Sequence, residues 1–295
     1  MGFPFHLFLP LFSAIVYVVA ALLLKRASDL GADVWRSTRI INYTQALMAV
    51  PFWLLGGTIP ASSLWWQPVV AGLLFFAGQV FTLLALTTGD VSVATPVLGL
   101  KIVLVALLSV VLIGDPIGAR LWTAAALSSI AIALLNLSPG HSHRRVARTI
   151  VLAALGAAAY ASFDVLVQKF SPVWGTGRFL PLAMLCGAAY SPALPKGRRA
   201  TPDSRPYARW LTAGAMCFAI QGLMFMSAVS IYRQVTSANV LYSSRGLWSV
   251  VGVWAVGHWF TNREQHLGAR VLVWRLIGAI LLLAAIVMVM LNRGA

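Results

Sequence analysis

Runs of about 20 apolar residues recur along the whole chain, each long enough as an α-helix to cross a hydrocarbon core roughly 30 Å thick. The pattern predicts ten such segments, at residues 5–24, 40–57, 68–88, 93–113 and 121–138, then at 149–168, 179–195, 209–229, 234–257 and 271–291. Residues 102–112 and 276–291 are continuous apolar stretches without the alternating polarity of a barrel strand, so the segments read as helices. The predicted fold class is an all-α integral membrane protein. Lys25 and Arg26 follow the first segment and no basic residue precedes it, the pattern of a retained first helix and not of a cleaved signal peptide.

The chain also echoes itself with a period of 143 residues. Under that shift Tyr17 falls on Tyr160, Arg26 on Lys169, Ala85 on Ala228, Val97 on Val240 and Leu98 on Leu241, while Lys101 lands one residue short of Arg245. Five helices per half send the second half into the membrane in the opposite sense. The expectation is therefore ten transmembrane helices as two inverted five-helix repeats, residues 1–138 and 149–295, joined by a basic linker at 139–148 and enclosing a cavity at mid-membrane. The other long polar stretch, 196–205, is too short to be a folded domain.

Composition agrees with a membrane chain: 60% of the 295 residues are hydrophobic and 10% charged, more apolar than a soluble domain tolerates. The net charge of +15 is spread among the loops and is not gathered with stacking aromatics on one face, which speaks for the lipid bilayer as partner and against nucleic acid. Alternate loops hold most of it, including Lys25, Arg26, Arg36, Arg39, Arg144, Arg145, Arg148, Lys196, Arg205 and Arg209; Arg120, Lys169, Arg178, Arg233 and Arg293 fall on the other side. Retention of positive loops in the cytoplasm then puts both termini outside, in a bacterial inner (plasma) membrane. Trp65, Trp66, Trp122, Trp174, Trp210 and Trp259 lie near segment ends and read as interfacial belts.

Lys101 lies near the middle of the fourth segment and Arg245 near the middle of the ninth. A charge at that depth costs about 2.5–3.5 kcal/mol on insertion scales unless it faces water or a partner. Both are expected to point inward, either as an electropositive site for a carboxylate, phosphate or other anionic group, or as members of structural pairs. Asp164 is the only acid well inside a predicted segment, and Tyr160, Asp164 and Gln168 share one helix face at i, i+4, i+8 spacing. It reads as the carrier of a coupled proton or as a permanent counter-ion, and its place toward the end of the 149–168 segment leaves a vestibule position open. The candidate substrate-binding residues are Lys101, Arg245, Tyr160, Gln79, Gln221 and Tyr242, with Asp164 the candidate for proton coupling; each polar group is equally suited to bonding a neighbouring helix. Tyr17 adds a smaller signal as the repeat mate of Tyr160. Pro96 and its counterpart under the shift, Asn239, mark a kink or flexible point beside the cavity.

Other chemistry finds no motif. His6, His141, His143, His258 and His266 lack helical ligand spacing, Cys186 and Cys217 lie inside apolar segments, and no nucleophile elbow or phosphate-cradling loop occurs. Neither a disulfide, a metal, a cofactor nor a catalytic residue is predicted.

Residues 85–135 resemble the EamA-like branch of the drug/metabolite transporter superfamily: a small-residue helix end at Ala85, an Ala94-Thr95-Pro96 start to the fourth helix, and a Gly114-Asp115 pair before the fifth. The second half echoes this from Ala228 to Leu291, with Glu264 in the turn before the last helix. Asp115 where the family commonly has Glu, Asn239 in place of the second proline, and Lys101 within the fourth helix depart from the pattern. The resemblance implies a secondary transporter, often an exporter of amino acids or other metabolites. It also implies cytoplasmic termini, against the loop charges. The expectation for function is alternating-access transport of a small polar or anionic metabolite, with proton coupling through Asp164, the protein being a monomer or a homodimer. The alternative is a non-transporting membrane scaffold or receptor-like partner protein, which has no need of charges at mid-membrane. Whether Lys101 and Arg245 line one cavity or pair off separately distinguishes the two.

Overall fold

The computed structural model describes residues 7–88, 91–135, 146–196, 205–256 and 269–291, and among these every regular element is helical. In order they are α1 (Phe8–Asp29), α2 (Val34–Ala49), α3 (Trp66–Thr88), α4 (Val91–Gly99), α5 (Lys101–Leu108), α6 (Ala119–Leu135), α7 (Val146–Trp174), α8 (Thr176–Ala189), α9 (Arg205–Tyr232), α10 (Val235–Tyr242), α11 (Arg245–Val256) and α12 (Ala269–Met290). A 3-10 turn, Val50–Leu55, extends α2, and a π turn, Ser109–Ile113, extends α5. Five helical stretches among the described residues are long and apolar enough to cross a membrane: Phe8–Asp29, Ser62–Thr87, Val93–Ile113, Val146–Trp174 and Pro206–Tyr232. Helix α2 falls short at 16 residues, and α10 and α11 because the rod they form is interrupted.

Among the described residues, each of the ten apolar segments predicted from sequence lies mainly on helix, with one correction of consequence. Helix α7 runs on to Trp174 and does not stop near residue 168, which places Asp164 well inside it at 1% exposure instead of in a vestibule. Trp174 is corrected with it. Its indole is fully buried and donates from Nε1 to Gln67 Oε1 at 2.8 Å, so it is core and not part of an interfacial belt. Trp65 and Trp66 remain half-exposed and pack edge-on against Trp174 and Phe170. The linker at 139–145, Trp259, Glu264 and all five histidines lie outside the described residues.

The two halves interleave. Helix α1 packs along α9 and α3 along α7, while α6 packs on α12 and α2 touches both α8 and α9. Exchanging α1–α6 for α7–α12 in order turns the α1·α9 pair into α7·α3 and the α2·α9 pair into α8·α3, both of which occur. Close approach needs small residues where α3 crosses α8 and where the turn after α2 meets the α7–α8 turn. A Cβ on Gly72 of α3 would lie 2.6 Å from the Ala183 carbonyl oxygen of α8, and one on Gly175 would lie 2.7 Å from the Gly57 Cα. Gly57 and Gly175 also have φ of 127° and 76°, in the region glycine tolerates best. At the α1–α2 end, Arg36 donates to the Tyr207 hydroxyl at the start of α9 and Arg39 to the Pro195 carbonyl beyond α8.

Both interrupted rods break at corresponding places. The first stops at Leu100, four residues beyond Pro96, and resumes with Lys101 as the first residue of α5. The second stops at Ser243–Ser244, four residues beyond Asn239, and resumes with Arg245 as the first residue of α11. Leu100 and Ser243 are separated by the 143-residue period. The two cations thus follow equivalent breaks.

Candidate functional site

Lys101 and Arg245 line one cavity of about 620 Å³ between the halves. Tyr160, Asp164, Gln221 and Tyr242 line it too, together with Tyr17. Gln79 does not: it is buried in α3, where its Oε1 has no hydrogen-bond partner among the described residues.

The two cations have different company. Lys101 Nζ lies 2.7 Å from Asp164 Oδ2, the only acid among the residues described as lining the cavity. The same carboxylate oxygen accepts from Asn239 Nδ2 at 2.9 Å, and Asn239 donates also to the Val235 carbonyl. Two rings flank the ammonium, with Tyr160 and Phe225 each centred 5.6 Å from Nζ. Arg245 has no carboxylate within ion-pair distance among the described residues. Its guanidinium lies over two rings instead, 4.9 Å from the centre of Tyr17 and 4.7 Å from that of Tyr242, an attraction to the ring faces that a charge leaving water gains most from.

Those rings are fixed from behind. The Tyr242 hydroxyl donates to Gln221 Oε1 at 2.8 Å, Gln221 Nε2 donates to the Phe218 carbonyl, and Ser13 Oγ donates to the Gln221 backbone oxygen. Gln221 therefore ties α1, α9 and α10 together and holds Tyr242 against Arg245. Tyr160 leans edge-on to Phe75 and rests on Gly78, whose absent side chain leaves room for the ring.

One end of the site is stitched across the halves. Gln168 Nε2 donates to Asp115 Oδ2 at 2.6 Å, while its Oε1 accepts from the Val235 backbone N–H, the first of α10. Ser109 Oγ also donates to Asp115. Of the polar stripe on α7, Tyr160 and Asp164 thus face the cavity and Gln168 serves this link. Sequence reasoning had placed Asp115 only as a family landmark.

Residues 1–137 match the model of the EamA-like transporter family. The first half of the chain belongs to the EamA-like transporter family. With it, the apolar helices identify a multi-pass membrane protein. No curated protein matches the chain. A protein of known crystal structure shares the fold with a TM-score of 0.70 and 15% identity, over 97% of this chain and 96% of its own. That likeness shows a shared fold over nearly the whole chain.

Three further cavity residues of this EamA-like protein escaped the sequence reading. Gln45 lines the cavity at 3% exposure and its Oε1 has no partner among the described residues. Thr82 lines it with an Oγ1 that has no partner among the described residues, and Asn239, expected only as a backbone feature, donates to Asp164. The sequence reading took up Gln79 and Gln221 and passed over Gln45, since nothing local tells one amide in an apolar run from another. Asn239 and Asp164 lie 75 positions apart, and no local pattern signals their pairing.

Proposed function

We propose that this EamA-like protein is a secondary active transporter, an exporter of a small polar or anionic metabolite such as an amino acid, working by alternating access and coupled to protons. Ten membrane spans in two inverted five-helix repeats, 1–138 and 149–295, would supply the machinery. The packing pattern that maps onto itself when the halves are exchanged, and the paired breaks at Leu100 and Ser243, support that arrangement.

The observation that carries the reading is that Lys101 and Arg245 face the same cavity. A scaffold gains nothing from two charges placed there, at an insertion cost of about 2.5–3.5 kcal/mol each. A carrier gains a site for an anionic group that both halves touch, so that movement of one half against the other changes the substrate's access. Substrate would bind between Lys101 and Arg245, with Tyr160, Gln221 and Tyr242 around it; Gln79 is left with a packing role. In the conformation described, Asp164 is the counter-ion of Lys101. A transported proton would ride on Asp164 only in a conformation that parts the pair.

The test is charge movement and internal pH in proteoliposomes on a solid-supported membrane, screened against amino acids, carboxylates, sugar phosphates and nucleotides. Transport of at least one class, lost in Lys101→Met or Arg245→Gln, is expected. Asp164→Asn should retain substrate exchange and lose accumulation driven by a pH gradient. Silence across the panel in the wild-type protein, in both current and pH, would overturn the transporter reading.

A further inference from the structure

Sequence alone puts Arg36 and Arg39 in a loop ahead of the second apolar segment, but both stand inside α2. Arg36, Tyr43, Leu47 and Val50 recur at helical spacing along one face of that helix, with Arg39 one turn from Arg36. The opposite face, carrying Asn42, Gln45, Ala46 and Ala49, is buried where α2 packs on α8 and α9. Tyr43, Leu47, Val50 and, in the turn beyond, Leu54 are exposed, Leu47 by 71% and Leu54 by 91%. On a membrane protein such an apolar lane is wetted by acyl chains, and the two arginines stand at its head.

These arginines meet only neutral acceptors. Arg36 Nη1 donates to the Tyr207 hydroxyl at 3.2 Å and Arg39 Nη2 to the Pro195 carbonyl at 3.3 Å, one of the five N–H groups that each guanidinium carries. Asp33 is the nearest acid in the chain, and its Oδ1 caps α2 by accepting from the Arg36 backbone N–H. Among the described residues no carboxylate lies within ion-pair distance of either guanidinium. Both side chains are half-buried, yet neither has a nitrogen that is closed off without a partner, in contrast to Arg178. Their spare N–H groups are therefore open to a ligand.

Two guanidinium groups one helical turn apart, at the head of an apolar lane, match a phosphodiester with acyl chains below it. Its non-bridging oxygens can take charge-assisted hydrogen bonds from both side chains. A headgroup with its own cation would bring a like charge to a chain whose net charge is +15. We propose that this face of α2 binds an anionic glycerophospholipid, its phosphate on Arg36 and Arg39 and an acyl chain along Tyr43, Leu47 and Leu54. Arg36 reaches α9 and Arg39 the stretch beyond α8, so the bound phosphate ties three helix ends together. Neither the arginines nor the apolar lane line the central cavity, and the site stands whatever the protein transports.

The test is thermal stability of the purified protein in detergent micelles doped with dioleoylphosphatidylglycerol or dioleoylphosphatidylcholine, with glycerol 3-phosphate as a phosphate without chains. Half-saturation by the anionic lipid is expected at about a tenfold lower mole fraction than by phosphatidylcholine, with at most a weak response to glycerol 3-phosphate. Arg36→Gln/Arg39→Gln should remove the preference and Arg39→Gln alone should reduce it. Lys25→Gln/Arg26→Gln, which takes the same charge from the end of α1, should keep it. Native mass spectrometry of the same samples counts lipids and protein copies, and neither this count nor the wild-type ranking needs a variant to fold. Equal response to the two lipids overturns the proposal, as does a response to glycerol 3-phosphate as strong as to the anionic lipid. So does a preference retained in folded Arg36→Gln/Arg39→Gln, one lost equally in Lys25→Gln/Arg26→Gln, or a dimer that depends on Arg36 and Arg39 and carries no lipid.

Discussion

The Lys101 ammonium and the Asp164 carboxylate meet at 2.7 Å, joining α5 of the first half to α7 of the second beside a cavity. Removing one partner of a dry buried pair costs about 3–5 kcal/mol because the other charge is stranded. Lys101 is 17% exposed and faces the cavity, so the expected loss for Lys101→Met or Asp164→Asn is smaller, about 1–3 kcal/mol. The double variant should recover most of it. Thermal unfolding of the four proteins in one detergent gives the coupling energy, and strict additivity would show that the pair contributes nothing.

Asn239 donates to both Asp164 and the Val235 carbonyl, so Asn239→Leu should lower stability by about 1–2 kcal/mol in the wild-type background. In an Asp164→Leu background the same substitution should cost less. Equal costs in the two backgrounds would mean that its bond to the carboxylate is not the one that counts.

Helix positions, the all-α class and the inward-facing cations were legible because apolar run length and intramembrane charge are strong local signals. What was not legible depended on contacts between distant residues. The segment containing Asp164 was cut short near residue 168 because Lys169 and Pro172 interrupt the apolar run; the helix continues because packing covers Phe170, Ser171 and Trp174 on its inner face. Trp174 looked like a belt residue because its partner Gln67 is 107 positions away. Gln79 and Gln45 were indistinguishable as isolated amides within apolar helices, and only the folded arrangement put Gln45 on the cavity and Gln79 off it.

Three glycines should respond differently to alanine. In Gly72→Ala the new Cβ meets backbone of α8 at 2.6 Å, which cannot yield without parting α3 from α8, and a loss of about 1–3 kcal/mol is expected. Gly78→Ala presses on the Tyr160 ring at 2.8 Å, and because a side chain can yield, the effect should fall on ligand affinity more than on folding. Gly118→Ala meets nothing within 4 Å and should be silent. Melting temperatures and ligand titrations of the three, compared side by side, check this order.

Gln168 links Asp115 to the start of α10, so a conformation that separates these elements must break two of its hydrogen bonds. Gln168→Leu removes both from this conformation alone and should shift population away from it by about 5–10-fold. The shift is read as a change in the ratio of labelling rates of a cavity cysteine from the two faces of the membrane. An unchanged ratio would remove the link from the transport cycle.

The account turns on a central cavity that opens alternately to the two sides. Ser249 lines it one turn beyond Arg245 and carries no charge, so Ser249→Cys in a Cys186→Ser/Cys217→Ser background reports access without disturbing the cations. Labelling with a membrane-impermeant thiol reagent in right-side-out and inside-out vesicles is the most direct test. Modification from both faces is expected, whereas modification from one face only, or from neither, would contradict alternating access.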